Sequence, residues 1–203
     1  MIAIINYEMG NIGSIANMLK VIGEKSVISD SGDKIRSADK IILPGVGSFD
    51  AGMKQLEDRG LVEVICEEAA AGKPILGICL GMQLLGKKSE EGVKSGLGLI
   101  PFESVRFRFP EDSKLKIPHM GWDIVEFKRD GPLTEINEGI QRYYFAHSYH
   151  AVCEESENVL MTCDYGYEFT AAVCKNNVYG VQFHPEKSHD FGMRLLKNFA
   201  GRC

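Results

Sequence analysis

The sequence predicts an α/β fold: a mostly parallel central sheet with helices on both faces, carrying an antiparallel or mixed extension. Three observations point there. Over the first two thirds of the chain β-type and α-type patterns alternate, as in a sheet whose parallel strands are joined by covering helices. From about residue 97 the pattern changes to short alternating or aromatic-rich runs separated by turn residues. The tail then returns to helical spacing.

Taken in order, residues 1–6 (MIAIIN) are a continuous apolar run, which suits a strand buried on both faces. Residues 12–23 read as an amphipathic helix, 39–44 (DKIILP) as a strand, 50–71 as a helix, and 74–78 (PILGI) as a further strand. The extension is built from the runs ESVRFRF, GWDIVEF, RYYFAHSYHAV, NVLMTCDY, FTAAVCK and NVYGVQF. In the closing helix, 189–200, Leu195, Leu196 and Phe199 share one face, which packs back onto the sheet. There is no repeat, low-complexity run or linker, so residues 1–203 read as one domain.

Composition excludes several function classes. The chain has 203 residues, with 23 Lys+Arg against 28 Asp+Glu and a net charge of −5. A chain of this length buries ~70% of its extended surface and folds without a disulfide or metal. A pI near 5.6 with no Lys/Arg cluster argues against nucleic acid as a partner, because that affinity rests on neutralising phosphates. The longest apolar stretches, around 1–5 and 75–85, are too short or too Gly-interrupted to span a membrane, and Met1 leads into Ile-Ala-Ile-Ile without a basic segment. The chain therefore reads as cytoplasmic. Its six cysteines (66, 79, 153, 163, 174, 203) are scattered, without a CxxC pair, and most read as buried thiols.

Cys79 is the exception. Gly77-Ile78-Cys79-Leu80-Gly81 lies between a strand and the helical pattern LGMQLLGK, in the form of a nucleophile elbow with Cys in place of Ser. So sharp a strand-to-helix turn leaves no room for a Cβ two residues to either side, and it strains the nucleophile's own backbone. The sulfur then sits over a helix N-terminus, where unpaired N–H groups and the dipole favour negative charge. Alone, GxCxG is equally satisfied by a buried core cysteine after a strand.

A second signal, Gln182-Phe183-His184-Pro185-Glu186, follows the strand pattern NVYGV. A nucleophilic thiol needs a base within hydrogen-bond reach, and that base needs a third group on its other nitrogen. His184 and Glu186 fill both roles, with Pro185 stiffening the chain between them. By itself the segment is a turn histidine beside a solvated carboxylate; together with the elbow it completes a Cys–His–Glu triad. His184-x-Glu186-x-x-His189 also resembles a metal-ligand spacing, but Pro185 disfavours the continuous helix such ligands use, and no P-C-x-x-C follows. His147 and His150 in AHSYH read as packed or surface histidines.

The third signal is Pro44-Gly45-Val46-Gly47 after DKIIL. A Gly-rich turn at a strand's carboxyl end exposes backbone N–H groups that suit an oxyanion. A dinucleotide-type GxGxxG would need glycine at position 50, where Asp50 stands.

Together GICLGMQLL, PGVGSF, PHMGW and GVQFHPEKS resemble the class I (triad) glutamine amidotransferases, and within them the glutaminase subunits of imidazole glycerol phosphate synthase, over essentially the whole chain. The resemblance implies that family's fold and a single glutaminase domain over 1–203. It implies hydrolysis of L-glutamine through a γ-glutamyl thioester, with ammonia passed to a (β/α)₈ barrel synthase subunit that closes the imidazole ring. Cys79 then corresponds to the nucleophile, His184 to the general base and acid, and Glu186 to its orienting partner. Val46 and Leu80 correspond to the oxyanion donors. Gly45, Gly47, Gln83 and the backbone around Ser148 and Tyr149 correspond to the substrate-holding groups, and Asn11, Trp122 and Tyr144 to the docking face. No cofactor or metal is implied, since thiolate, imidazole and backbone dipoles suffice for acyl transfer.

Two features, the opening NYEMGNIGSI and the stretch ESVRFRFPEDSKLKIPHMGWD, look closer to paralogues that supply ammonia for amidation of bacterial surface sugars. That alternative changes only the acceptor. A stand-alone cysteine hydrolase of the same fold and a noncatalytic binding module also stay open; the intact triad disfavours the second.

Overall fold

The computed structural model describes residues 1–134 and 139–203. Its first half alternates strand and helix: β1 (Ile2–Ile5), α1 (Ile12–Val21), β2 (Ser26–Ser29), α2 (Gly32–Arg36), β3 (Lys40–Gly45), α3 (Phe49–Asp58), α4 (Leu61–Ala70), β4 (Ile75–Cys79) and α5 (Leu80–Leu84). Strands dominate the second half: β5 (Lys88–Ser89), β6 (Phe102–Arg106), β7 (His119–Phe127), β8 (Gln141–His147), β9 (Tyr149–Cys153), β10 (Val159–Asp164), β11 (Glu168–Lys175) and β12 (Val178–Val181), before the closing helix α6 (His189–Arg202).

Among the described residues twelve strands join one sheet, with the main path β2-β1-β3-β4-β12-β11-β10-β7-β8. From β2 through β12 the neighbours run parallel. Beyond β12 every pair on that path is antiparallel. Strand β9 branches off, pairing β11 at Ala151↔Thr170 and β6 along its length.

Because the parallel strands are covered on both sides, both of their side-chain rows are apolar. Ile2 and Ile4 of β1, with Ile42, Leu76 and Ile78, pack against Ile15 and Leu19 of α1 and Leu195, Leu196 and Phe199 of α6. The alternate row, Ala3, Ile5, Ile41, Leu43 and Ile75, packs against Ile35 of α2, Met53 and Leu56 of α3, Val64 and Ile65 of α4, and Leu84 of α5. The predicted α/β architecture therefore stands, helices on both faces included.

Three local expectations need correction. The helix read over 50–71 is two helices, because Gly60 takes φ +64°, a left-handed conformation that ends α3 and starts α4. Elements β2 and α2 escape sequence reading because they are four and five residues long, too short to show a period. The run RYYFAHSYHAV is two strands broken at Ser148: β8 pairs β7, whereas β9 pairs β6. That break opens beside the central strand's carboxyl end, where the chemistry-bearing residues gather.

Candidate active site

Strands β3, β4 and β12 lie side by side and end at one edge of the sheet, with Gly45 opposite Cys79 and Val181 opposite Ile78. Ligand sites of open parallel sheets form at such carboxyl ends. Cys79 ends β4 with φ 55° and ψ −111°, a conformation unusual for a residue with a Cβ, and the next residue already begins α5. The flanking glycines are sterically required. A Cβ at Gly81 would lie 1.8 Å from the Leu43 carbonyl oxygen, and one at Gly77 would lie 2.6 Å from the Gly81 carbonyl oxygen. Gly81→Ala is accordingly expected to destabilise the protein by about 3 kcal/mol or more in urea unfolding, since backbone on both sides blocks relaxation.

His184 follows β12 and begins a single 3₁₀ turn, Pro185–Lys187, that carries Glu186. Its Nδ1 lies 2.8 Å from Glu186 Oε1, and both side chains are almost wholly buried. The imidazole also hydrogen-bonds Cys79. Burial alone would depress the proton affinity of His184, but its bonds to Cys79 and Glu186 outweigh that and raise its pKa to about 10. The His184 N–H donates to the Tyr144 carbonyl at 2.8 Å. Ser188 Oγ donates to the His184 carbonyl and accepts from the Tyr144 N–H, so β8 clamps the base on both sides.

A cleft of about 350 Å³ opens over the sulfur, lined by Val46, Gly47, Cys79, Leu80, Gln83, Glu91, Pro118, Ala146, His147, Ser148, Tyr149, His184 and Lys187. It is large enough for an amino acid. The structure thus brings Cys79, His184, Val46, Leu80, Gly47, Gln83, Ser148 and Tyr149 to one cleft. Gly45 stands behind it, buried, where a Cβ would lie 2.5 Å from the Tyr7 hydroxyl and 2.9 Å from the Gly81 nitrogen. Gln83 presents its amide sideways, donating to the Tyr149 carbonyl at 3.2 Å and to Gln182 Oε1 at 3.0 Å.

Two contributors were not singled out from sequence. Gln182 is fully buried, and its Nε2 lies 3.8 Å from Cys79 Sγ; it stood in the quoted motif, but strand parity alone does not say that it turns toward the sulfur. Tyr7, also fully buried, donates to the Pro44 carbonyl and so braces the turn that carries Val46. Burial, and then the Cys79 charge, push its phenol far above the usual range, so it stays a donor.

Of the residues read as a docking face, Asn11 is exposed at the N-cap of α1. Trp122 is 43% exposed, with its ring 5.5 Å from and parallel to His189 and 6.3 Å from Tyr144. Met120 and Ile124 are exposed on the same row of β7. His147 and His150 are packed, both buried around Phe107.

The family model described as glutamine amidotransferase class-I matches residues 3–203. The chain is 52% identical over 200 residues to the imidazole glycerol phosphate synthase subunit HisH 2 of Methanococcus maripaludis, across 98% of both chains. It is equally identical over 201 residues to the protein of the same name from Pseudomonas aeruginosa, again across 98% of both. Among solved structures, PurLQS from Thermotoga maritima superposes with TM-score 0.75 at 21% identity, over 98% of this chain and 96% of that one, a likeness of fold. A match over nearly the whole length, met by a cysteine elbow whose sulfur faces a buried histidine–glutamate pair, makes this chain a member of the class I glutamine amidotransferases.

Proposed function

We propose that this chain is the glutaminase subunit of an imidazole glycerol phosphate synthase-type complex, hydrolysing L-glutamine and passing the ammonia to a (β/α)₈ barrel synthase subunit in histidine biosynthesis. The observation that carries the reading is the buried line Glu186–His184–Cys79 opening into an amino-acid-sized cleft. The subunit assignment rests on the relatives at 52% identity.

In this mechanism the thiol proton already rests on His184 Nε2, whose pKa of about 10 keeps the imidazole protonated at neutral pH, so Cys79 Sγ attacks the side-chain amide carbon as a thiolate while Glu186 holds Nδ1 and stabilises the imidazolium. The N–H groups of Leu80 and Val46 receive the oxyanion. As the C–N bond breaks, His184 returns the proton to the leaving nitrogen, giving ammonia and a glutamyl thioester. Water, deprotonated by the same imidazole, then attacks the thioester; glutamate leaves and the Cys79 thiolate again stands beside the His184 imidazolium. Gly47, Gln83, Ser148 and Tyr149 hold the amino-acid end, and Gly45 supplies the carbonyl side of the Gly45–Val46 peptide.

Ammonia released into water would be protonated and lost, so the barrel must dock over the sulfur. The exposed row Met120, Trp122 and Ile124, with Asn11 and Tyr144, supports that surface, because contiguous exposed apolar side chains mark interfaces. Tyr144 also brackets the backbone of His184, which gives docking a direct route to the base. The free subunit then hydrolyses glutamine poorly until the loaded barrel sets the Gly45–Val46 peptide toward the oxyanion. Residues 1–203 act as one domain in this reading. Its compartment is the cytoplasm, consistent with six free cysteines and with the absence, among the described residues, of a helix long and apolar enough to cross a membrane.

The test is ammonia release from glutamine with and without the cyclase subunit of the histidine pathway. Strong stimulation by that subunit is expected. Stimulation only by a barrel that amidates a surface sugar would move the acceptor, and full activity of the isolated chain would favour a stand-alone hydrolase. Trp122→Ala is expected to weaken barrel binding by about 2 kcal/mol, as for an aromatic anchor, and to lower glutamine turnover at subsaturating barrel. Circular dichroism of the free subunit should be unchanged, because the indole lies outside the core.

A further inference from the structure

A row of polar contacts, whose two histidines the mechanism above leaves unused, runs along the cleft from the sulfur to its rim. Beyond the Gln182 and Gln83 amides already described, the Tyr149 carbonyl faces His147 Nδ1 at 2.8 Å. His147 Nε2 lies 3.3 Å from His119 Nδ1, and His119 Nε2 lies 3.3 Å from Asp123 Oδ2, one residue beyond Trp122. Both histidines are buried.

The donor to the Tyr149 carbonyl can be assigned. A carbonyl only accepts, so His147 Nδ1 carries the proton. Burial, reinforced by the neighbouring His119, His150 and His184, drives the His147 pKa down to about 3, so the ring is neutral and its Nε2 carries no proton. The Asp123 carboxylate only accepts, so it draws a proton onto His119 Nε2, the nitrogen that faces it. One lone pair of the Tyr149 carbonyl is then taken by Gln83 and the other by His147, and the adjacent Ser148 carbonyl accepts from the Phe107 N–H at 3.0 Å. These peptides form the break between β8 and β9, where Ser148 and Tyr149 line the cleft.

We propose that His147 is a positioning residue for glutamine: its Nδ1–H locks the Tyr149 carbonyl and with it the Ser148–Tyr149 backbone that seats the amino-acid end. The inference rests on the glutaminase reading. A group of this kind acts on substrate binding and leaves the Cys79–His184 proton transfers alone, so it moves KM and spares kcat.

Three variants in the complete complex with its barrel test it. His147→Asn puts an amide nitrogen near the position of Nδ1, His147→Gln puts one near Nε2, and His147→Phe keeps a ring with neither. Phenylalanine and glutamine are expected to raise KM for glutamine about 10-fold, the loss of one hydrogen bond, with kcat within about twofold, and asparagine to restore KM to within about twofold of wild type. Ammonium-driven synthesis reports that each complex is folded and assembled. A role in packing alone predicts the reverse order, with asparagine worst because it leaves the largest void; that order would overturn the proposal. Nitrogen-15 NMR of the wild-type imidazoles supplies a readout independent of any variant. His147 protonated on Nδ1 at neutral pH is expected, and protonation on Nε2 would sink the idea. A wild type that hydrolyses no glutamine with any barrel would instead remove the glutaminase reading, leaving the tautomer to be judged by itself.

Discussion

Alanine at position 79 is expected to abolish glutamine-dependent turnover, lowering kcat on the order of 10⁶-fold, the scale seen when a triad loses its nucleophile and only oxyanion and binding effects remain. Serine should fail as well, since the same imidazole then faces a much weaker nucleophile. The fold should survive both changes. The strain at this residue comes from a Cβ at φ 55°, which Cys, Ser and Ala share, so unfolding free energies should stay within about 1 kcal/mol of wild type. Free ammonium should still drive the partnered synthase, because the barrel's own site is untouched. The measurement is glutamate release beside ammonium-dependent product formation in one preparation. Wild-type glutamate release from Cys79→Ala would end the assignment.

His184→Ala should lose nearly as much, and Glu186→Gln about 100-fold less, as expected when the proton carrier is removed in one case and only its orienting charge in the other. The difference follows from the geometry. Alanine at 184 leaves the sulfur without a base. The next histidine along the chain, His189, stacks on Trp122 at the exposed face and does not line the cleft. Glutamine at 186 keeps an acceptor for Nδ1, 2.8 Å away in the native protein. It also replaces Oε2, which is buried with no hydrogen-bond partner, by an NH₂ group with none, so a stability loss of about 1–3 kcal/mol should accompany the slower rate. Steady-state kinetics with urea unfolding separates the two effects. Equal turnover by His184→Ala and wild type would point to a different base.

Much of the fold was legible because the elements that frame the site obey simple periods. Strands β1, β3 and β4 are continuous apolar runs, and Leu195, Leu196 and Phe199 of α6 mark one helical face, so the covered sheet could be read in advance. The misread places are those where a single backbone conformation overrides a period. Gly60 cuts one helix into two, and Ser148 divides one aromatic run between two strand partners.

Residue chemistry made Cys79, His184 and Glu186 triad candidates from sequence alone. A cysteine between glycines two residues to either side suits a core thiol as well as an elbow, and a histidine two residues before a glutamate suits a plain turn; only the two together point to a nucleophile with an oriented base. Partners far apart in sequence were decided only by tertiary structure. Strand pairing sets Gly45 beside Cys79, the 3₁₀ turn after β12 aims Glu186 at Nδ1, and the break at Ser148 brings His147 and Gln83 onto one carbonyl. Local pattern reports which face of its own element a side chain takes; which distant atom meets it depends on register and crossover, and those exist only once the sheet has assembled.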